Sequence, residues 1–119
     1  MNTRTNKLNS EFKRLIAEIL TRKVKDPRIT EMFTVLDVET DKELSTAKVY
    51  ISVYSTDTDK AAQTFLAIRE NAPYVRKEIS RTMHIRKVPE FNFILDTSMA
   101  YGQKISGMLY EIGKKDGND

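Results

Sequence analysis

The feature that most constrains this chain is the run Ala47-Lys48-Val49-Tyr50-Ile51-Ser52-Val53-Tyr54, which sets small and β-branched residues on one side and polar or aromatic residues on the other. A period of two is the signature of a half-buried strand. Upstream, Thr34-Val35-Leu36-Asp37-Val38-Glu39-Thr40 alternates as well, with Leu36 and Val38 on the side opposite Asp37 and Glu39. The polar link Asp41–Ser45 between the two runs is short enough for an antiparallel hairpin. A third strand is expected after Pro89, in Phe91-Asn92-Phe93-Ile94-Leu95, where Phe91, Phe93 and Leu95 share a face.

Between and around these strands the period changes to that of a helix. Leu8, Phe12, Leu15, Ile16, Ile19 and Leu20 form one apolar stripe, and Asp26-Pro27 stops the helix that carries it. Ser55-Thr56-Asp57 supplies capping side chains for a second helix on which Ala61, Phe65 and Ile68 recur, with Ala62 and Leu66 beside them, to about Glu70. Pro73 breaks a continuous helix but fits the first turn of a new one, so the chain should bend there with Asn71 or Ala72 as the cap. The third helix turns Val75, Ile79 and Met83 inward and is expected to end in the cationic stretch His84-Ile85-Arg86-Lys87. A last helix is expected after Asp96-Thr97-Ser98, with Tyr101, Ile105, Met108, Leu109 and Ile112 on its stripe. The order is α-β-β-α-α-β-α, which gives an α+β fold of one domain over residues 1–113 and a charged, disordered tail over 114–119.

With 119 residues, a single domain is the expected count. The chain has no cysteine and one histidine, which excludes disulfides, thiolate metal sites and a Cys nucleophile, and leaves little for a His-based metal cage or catalytic triad. No cofactor or metal is expected. His84 lies in a basic stretch, where a phosphate contact or plain solvation suits it better than general-base work. Asp37, Glu39, Asp41 and Glu43 are spaced to meet a cation, although solvent-facing acids that discourage edge pairing explain them more simply. Gly102 and Gly107 have the spacing of a phosphate loop but lack its Lys-Ser/Thr and its preceding strand. No apolar stretch is long enough to span a membrane or serve as a secretion signal, and a cytoplasmic protein is expected.

The net charge of +3 says little, but its distribution says more. Residues 1–30 carry eight Lys/Arg against three acids, residues 31–70 four against eight, and residues 71–90 five against two. If folding joins the two basic blocks, one side becomes a phosphate-binding surface. The densest cluster is Arg76, Lys77, Arg81, Arg86 and Lys87, following the helix break, where the N-terminal end of a helix also favours an anion. A solvated helical face is the plainer explanation of the same residues. Docking of a protein partner through the hairpin, by Tyr50 and Tyr54, is the competing function, and a DNA-binding domain is a weaker third, because the helix pair lacks a persuasive recognition helix.

The α-β-β-α-α-β order resembles the type-II KH topology of RNA-binding domains, without the Gly-x-x-Gly loop that ordinarily clamps the nucleic acid. Over nearly its whole length the chain resembles the bacterial ribosome-binding factor A family, which keeps this topology and replaces the clamp with a kink between helices. The resemblance is carried by the Leu8–Leu20 helix, Val24-Lys25-Asp26-Pro27-Arg28, Thr34–Glu39, Ala47–Val53, Val75-Arg76-Lys77-Glu78, and Arg86-Lys87-Val88-Pro89-Glu90-Phe91 leading to Asp96-Thr97-Ser98. It implies a non-enzymatic factor that binds the free 30S subunit and its 16S rRNA and promotes late maturation and 5′-end processing, often in connection with growth in the cold; a monomer is expected. By position, it implies Arg76, Lys77, Arg81, Arg86 and Lys87 as principal RNA-facing cations, with Lys13, Arg14, Arg22, Lys23, Lys25 and Arg28 as second-tier ones. The family kink reads Ala-x-Gly, and here Asn71-Ala72-Pro73 stands in its place, which implies a stiffer bend.

Overall fold

The computed structural model describes residues 3–96. The expected C-terminal helix, its Thr97-Ser98 cap, Gly102, Gly107 and the tail from residue 114 lie outside the described residues. Helix α1 covers Thr3–Glu18 and continues as one wide π-helical turn over Ile19–Lys23, closed by Val24 N donating to Ile19 O at 3.0 Å. Strands β1 (Met32–Thr40) and β2 (Thr46–Tyr54) form the antiparallel hairpin. Helices α2 (Thr58–Glu70) and α3 (Ala72–Thr82) then carry the chain over to β3 (Glu90–Leu95), which pairs in parallel with β2. Parallel pairing requires such a crossover. The sheet order is β1-β2-β3, so the fold is α+β with a mixed three-stranded sheet.

The helices bury their stripes against one face of the sheet. Phe12, Ile16, Val49, Ile51, Val53, Ile68, Val75 and Ile79 are all fully buried, and the Phe12 ring meets Phe91 edge to face at 5.4 Å. That geometry suits the ring quadrupoles and ties α1 to β3 across the core. The side chain of Asp57 caps α2 by accepting from Lys60 N at 3.0 Å, as the cluster Ser55-Thr56-Asp57 implies.

The fold departs from the sequence reading in three places. Leu36 and Val38 do not share the buried face. A bulge between Val35 and Asp37 inserts Leu36 as the extra residue, so Val35 and Val38 are buried and Leu36 is left half-exposed. The third helix ends at Thr82 rather than in the basic stretch, and residues 83–89 form an extended connection to β3. Asn71 bounds α3, yet its side chain makes no cap there, because its amide is directed toward the turn that follows α1.

In the hairpin turn, Asp41 organises the link: its carboxylate accepts from Ser45 N at 2.7 Å, and Leu44 takes a left-handed φ of 57°. Among the described residues no helix is long and apolar enough to cross a membrane.

Candidate nucleic-acid interface

The basic stretch is shaped by α3 and by the extended connection behind it. Successive positions on a helix are 100° apart, so Pro73, Arg76, Lys77 and Ser80 form one outward stripe while Val75 and Ile79 face the core. Val88 folds back beneath that stripe because Arg76 holds it: Nε and Nη2 both donate to Val88 O, at 3.1 and 2.9 Å. Between helix and connection lies a groove lined by Pro73, Arg76, Lys77, Ser80, Ile85, Arg86 and Val88, none of them acidic. Its apolar residues can support a ribose or a base, and its cations can meet phosphate. A guanidinium has five N–H donors, so these two bonds do not exhaust Arg76. Lys77 and Arg86 are exposed and make no ion pair among the described residues.

The other expected cations are distributed as follows. Arg81 adjoins Lys77 on the helix surface and lies 3.7 Å from Glu78, which also accepts from Lys23 Nζ at 3.0 Å. Lys23 thus joins the end of the first helix to α3, bringing the two basic blocks together at this point. Glu78 is buried, and the Lys23 hydrogen bond holds its carboxyl below the usual range against the opposing effect of burial. Lys87 donates to Glu43 O at 3.3 Å and Ser45 Oγ at 3.4 Å, fastening the connection to the hairpin turn. Arg28 is enclosed by acids, at 2.8 Å from both Asp26 and Glu70. Arg22 and Lys25 are exposed. Lys13 and Arg14 line a separate groove between α1 and β1, where Arg14 is paired with Glu11 and Glu18 along its own helix.

Ser80, Ile85 and Val88 complete the groove, although no charge or motif singles them out. Pro73 stands at its end, in the first turn of α3. His84 is exposed on the connection. Three of the four acids in the series are occupied with structure: Glu39 accepts from Tyr50 Oη at 3.1 Å, Asp37 from Val38 N, and Asp41 from the hairpin turn. Among the described residues there is no group of three or more His, Cys, Asp or Glu side chains able to hold a metal ion.

The family model for ribosome-binding factor A matches residues 4–109. The chain belongs to the ribosome-binding factor A family. A ribosome-binding factor A from Caldanaerobacter subterraneus subsp. tengcongensis is 40% identical over 119 residues, covering 100% of this chain and 97% of the relative. The crystal structure of ribosome-binding factor A from Thermus thermophilus has the same fold, with a TM-score of 0.65 and 22% identity over 76% of this chain and 93% of that one. A homology model of Thermus thermophilus ribosome-binding factor A, fitted into the cryo-EM map of a 30S complex with that factor, gives a TM-score of 0.62 and 22% identity, covering 77% of this chain and 94% of that one.

Proposed function

We propose that this chain is a ribosome assembly factor that binds the free small ribosomal subunit through its 16S rRNA and promotes late maturation of that RNA, including processing of its 5′ end. It acts in the cytoplasm as a monomer, by binding alone, without a catalytic residue, metal or cofactor. Membership of the ribosome-binding factor A family supports this reading, as does the fitting of a relative into a 30S complex. The observation that carries it is the acid-free groove lined by Arg76, Lys77 and Arg86, a shape and charge suited to a sugar-phosphate strand. Arg81 and Lys23 widen the cationic surface around α3, with Lys87 on the connection behind it. Lys13, Arg14, Arg22, Lys25 and Arg28 are secondary contacts.

Binding promotes maturation only if it discriminates. A factor that grips one arrangement of the rRNA more tightly than another shifts the population toward it, and equal affinity for both shifts nothing. The adaptor reading gains no support from the hairpin, where Tyr50 and Tyr54 are half-buried and the Tyr50 hydroxyl is engaged by Glu39. Sedimentation through a gradient with purified ribosomal particles tests the proposal. The protein should travel with free small subunits at low salt and leave them as salt rises. Migration at the top of the gradient at every salt concentration would refute it.

A further inference from the structure

The bend between α2 and α3 is held from outside by the turn that follows α1. Asp26-Pro27-Arg28 is that turn: Ile29 N donates to Asp26 O at 3.0 Å, and Arg28 N donates to Asp26 Oδ1 at 3.0 Å. The Arg28 guanidinium then folds back, with Nε 3.1 Å from Oδ1 and Nη2 2.8 Å from Oδ2 of the same carboxylate, while Nη1 reaches Glu70 Oε1 at 2.8 Å. One acceptor site of Asp26 remains, and Asn71 Nδ2 fills it at 3.1 Å.

Asn71 is the residue through which both helices run. Its backbone N donates to Ala67 O and Ile68 O, ending α2, and its backbone O accepts from Val75 N at 3.0 Å, beginning α3. Its side-chain amide bonds Ala67 O at 2.7 Å as well as Asp26. A backbone at φ −91°, ψ 8° lies in the sparsely populated bridge region, so its own preference does not hold it there. Pro73 fixes one further dihedral two residues on and offers no N–H to the bend. At the bend itself the side-chain contacts that oppose reorientation come from the Asp26 turn, while farther along the helix Val75 and Ile79 are buried in the core and Glu78 is bonded by Lys23. Arg28 hydrogen bonds hold the Asp26 carboxyl well below the ordinary range, so its acceptors persist into acid where an ordinary aspartate would be protonated.

The consequence falls on the groove. Pro73, Arg76 and Lys77 stand on the first turns of α3, whereas Arg86 stands on the connection fastened to the hairpin through Lys87. Although Arg76 also bonds Val88, Lys87 fastens the segment that carries Arg86 to the hairpin, so a shift of the first turns of α3 about Asn71 changes the separation of Lys77 from Arg86. We infer that Asp26, Arg28 and Asn71 are positioning residues for the basic groove, clamping the α2–α3 bend so that its cations keep one spacing. This rests on the groove being the RNA-binding surface, whereas the clamp itself does not.

The test uses the full chain with spin labels on α2 and α3, introduced as Q63C and S80C into a sequence that has no other cysteine. N71A removes the amide and leaves every cation in place. D26N cuts the same clamp from the other side and keeps the side-chain shape. Each should broaden the label-to-label distance distribution measured by pulsed EPR, and the double variant should be no broader than D26N alone. In the unlabelled chain, well below the melting temperature, each should weaken binding to purified small subunits about three- to tenfold, and N71A, which alters no charge, should leave the salt dependence unchanged.

A distribution in N71A and D26N as narrow as in the parent overturns the clamp, whatever the affinity does. Broadening with undiminished affinity overturns the positioning role. If the unmodified chain binds no small subunits, the RNA reading falls, and the distance measurement still decides the clamp.

Discussion

Thr64 stands in the middle of α2 with no exposed surface, and its hydroxyl holds the loop after α1 at three points. It accepts from Thr30 N at 3.3 Å and Glu31 N at 3.2 Å, and donates to Arg28 O at 3.4 Å. Thr64→Val keeps the shape and removes the hydroxyl, so three backbone groups lose a partner at once. An unsatisfied buried group costs about 1–3 kcal/mol, but these bonds are long and water reaches the loop and recovers part of the loss, so each of the three costs somewhat less than the low end and roughly 2 kcal/mol is expected in all. For a domain of this size that lowers the melting temperature by about 6–12 °C. Thr64→Ser keeps the hydroxyl and loses one buried methyl, about 1 kcal/mol. Urea titration followed by circular dichroism reads both, with the m-value unchanged if only stability has moved. Thr64→Val within about 0.5 kcal/mol of the parent, or less damaging than Thr64→Ser, would show that the hydroxyl does not anchor the loop.

Two further effects follow from the packing and the charges. Phe12→Ala removes a fully buried ring from its edge contact with Phe91 and should cost about 3–5 kcal/mol, with Phe12→Leu much milder; equal losses in thermal melts would contradict the packing described. The carboxyls of Asp26 and Glu78 are lowered in the folded state, by Arg28 and by Lys23 hydrogen bonds respectively. The unfolded chain therefore binds protons more readily: the stability these groups contribute is complete above the unfolded carboxylate range, near pH 4, and is lost as pH falls through the folded values. Melting temperature should hold from neutral pH to about 5 and fall below about 4, and D26N should flatten that fall. An acid limb of the same steepness in D26N would refute the assignment.

Much of this molecule can be read in its sequence because period and punctuation agree there. The alternation from Ala47 to Tyr54 fixes β2, the Leu8–Leu20 stripe fixes the first helix, and Pro73 marks the bend. Leu36 is misleading because a bulge is a property of two strands in register, and neither strand alone encodes it. The cations show the same limit. Their density after Asn71 is plain in the sequence, whereas the pairing of Lys23 with Glu78, 55 positions away, is created only by the fold. Arg76 has the charge of a phosphate ligand and also acts as a staple for Val88, which no spacing announces. The Asp26-Pro27-Arg28 turn is legible as a turn. That its carboxylate reaches Asn71 depends on the tertiary packing of the loop against α2.

In the proposed function, the groove beside α3 takes phosphate through Lys77 and Arg86. The direct measurement is the affinity for purified small subunits as a function of salt, for the parent chain and for K77Q/R86Q, with K42Q in the acidic block of residues 31–70 as the control. Two lost phosphate contacts should reduce the slope of log affinity against log salt by about 1.4 to 1.8, and K42Q should leave it unchanged. A K77Q/R86Q slope equal to that of the parent would contradict the account.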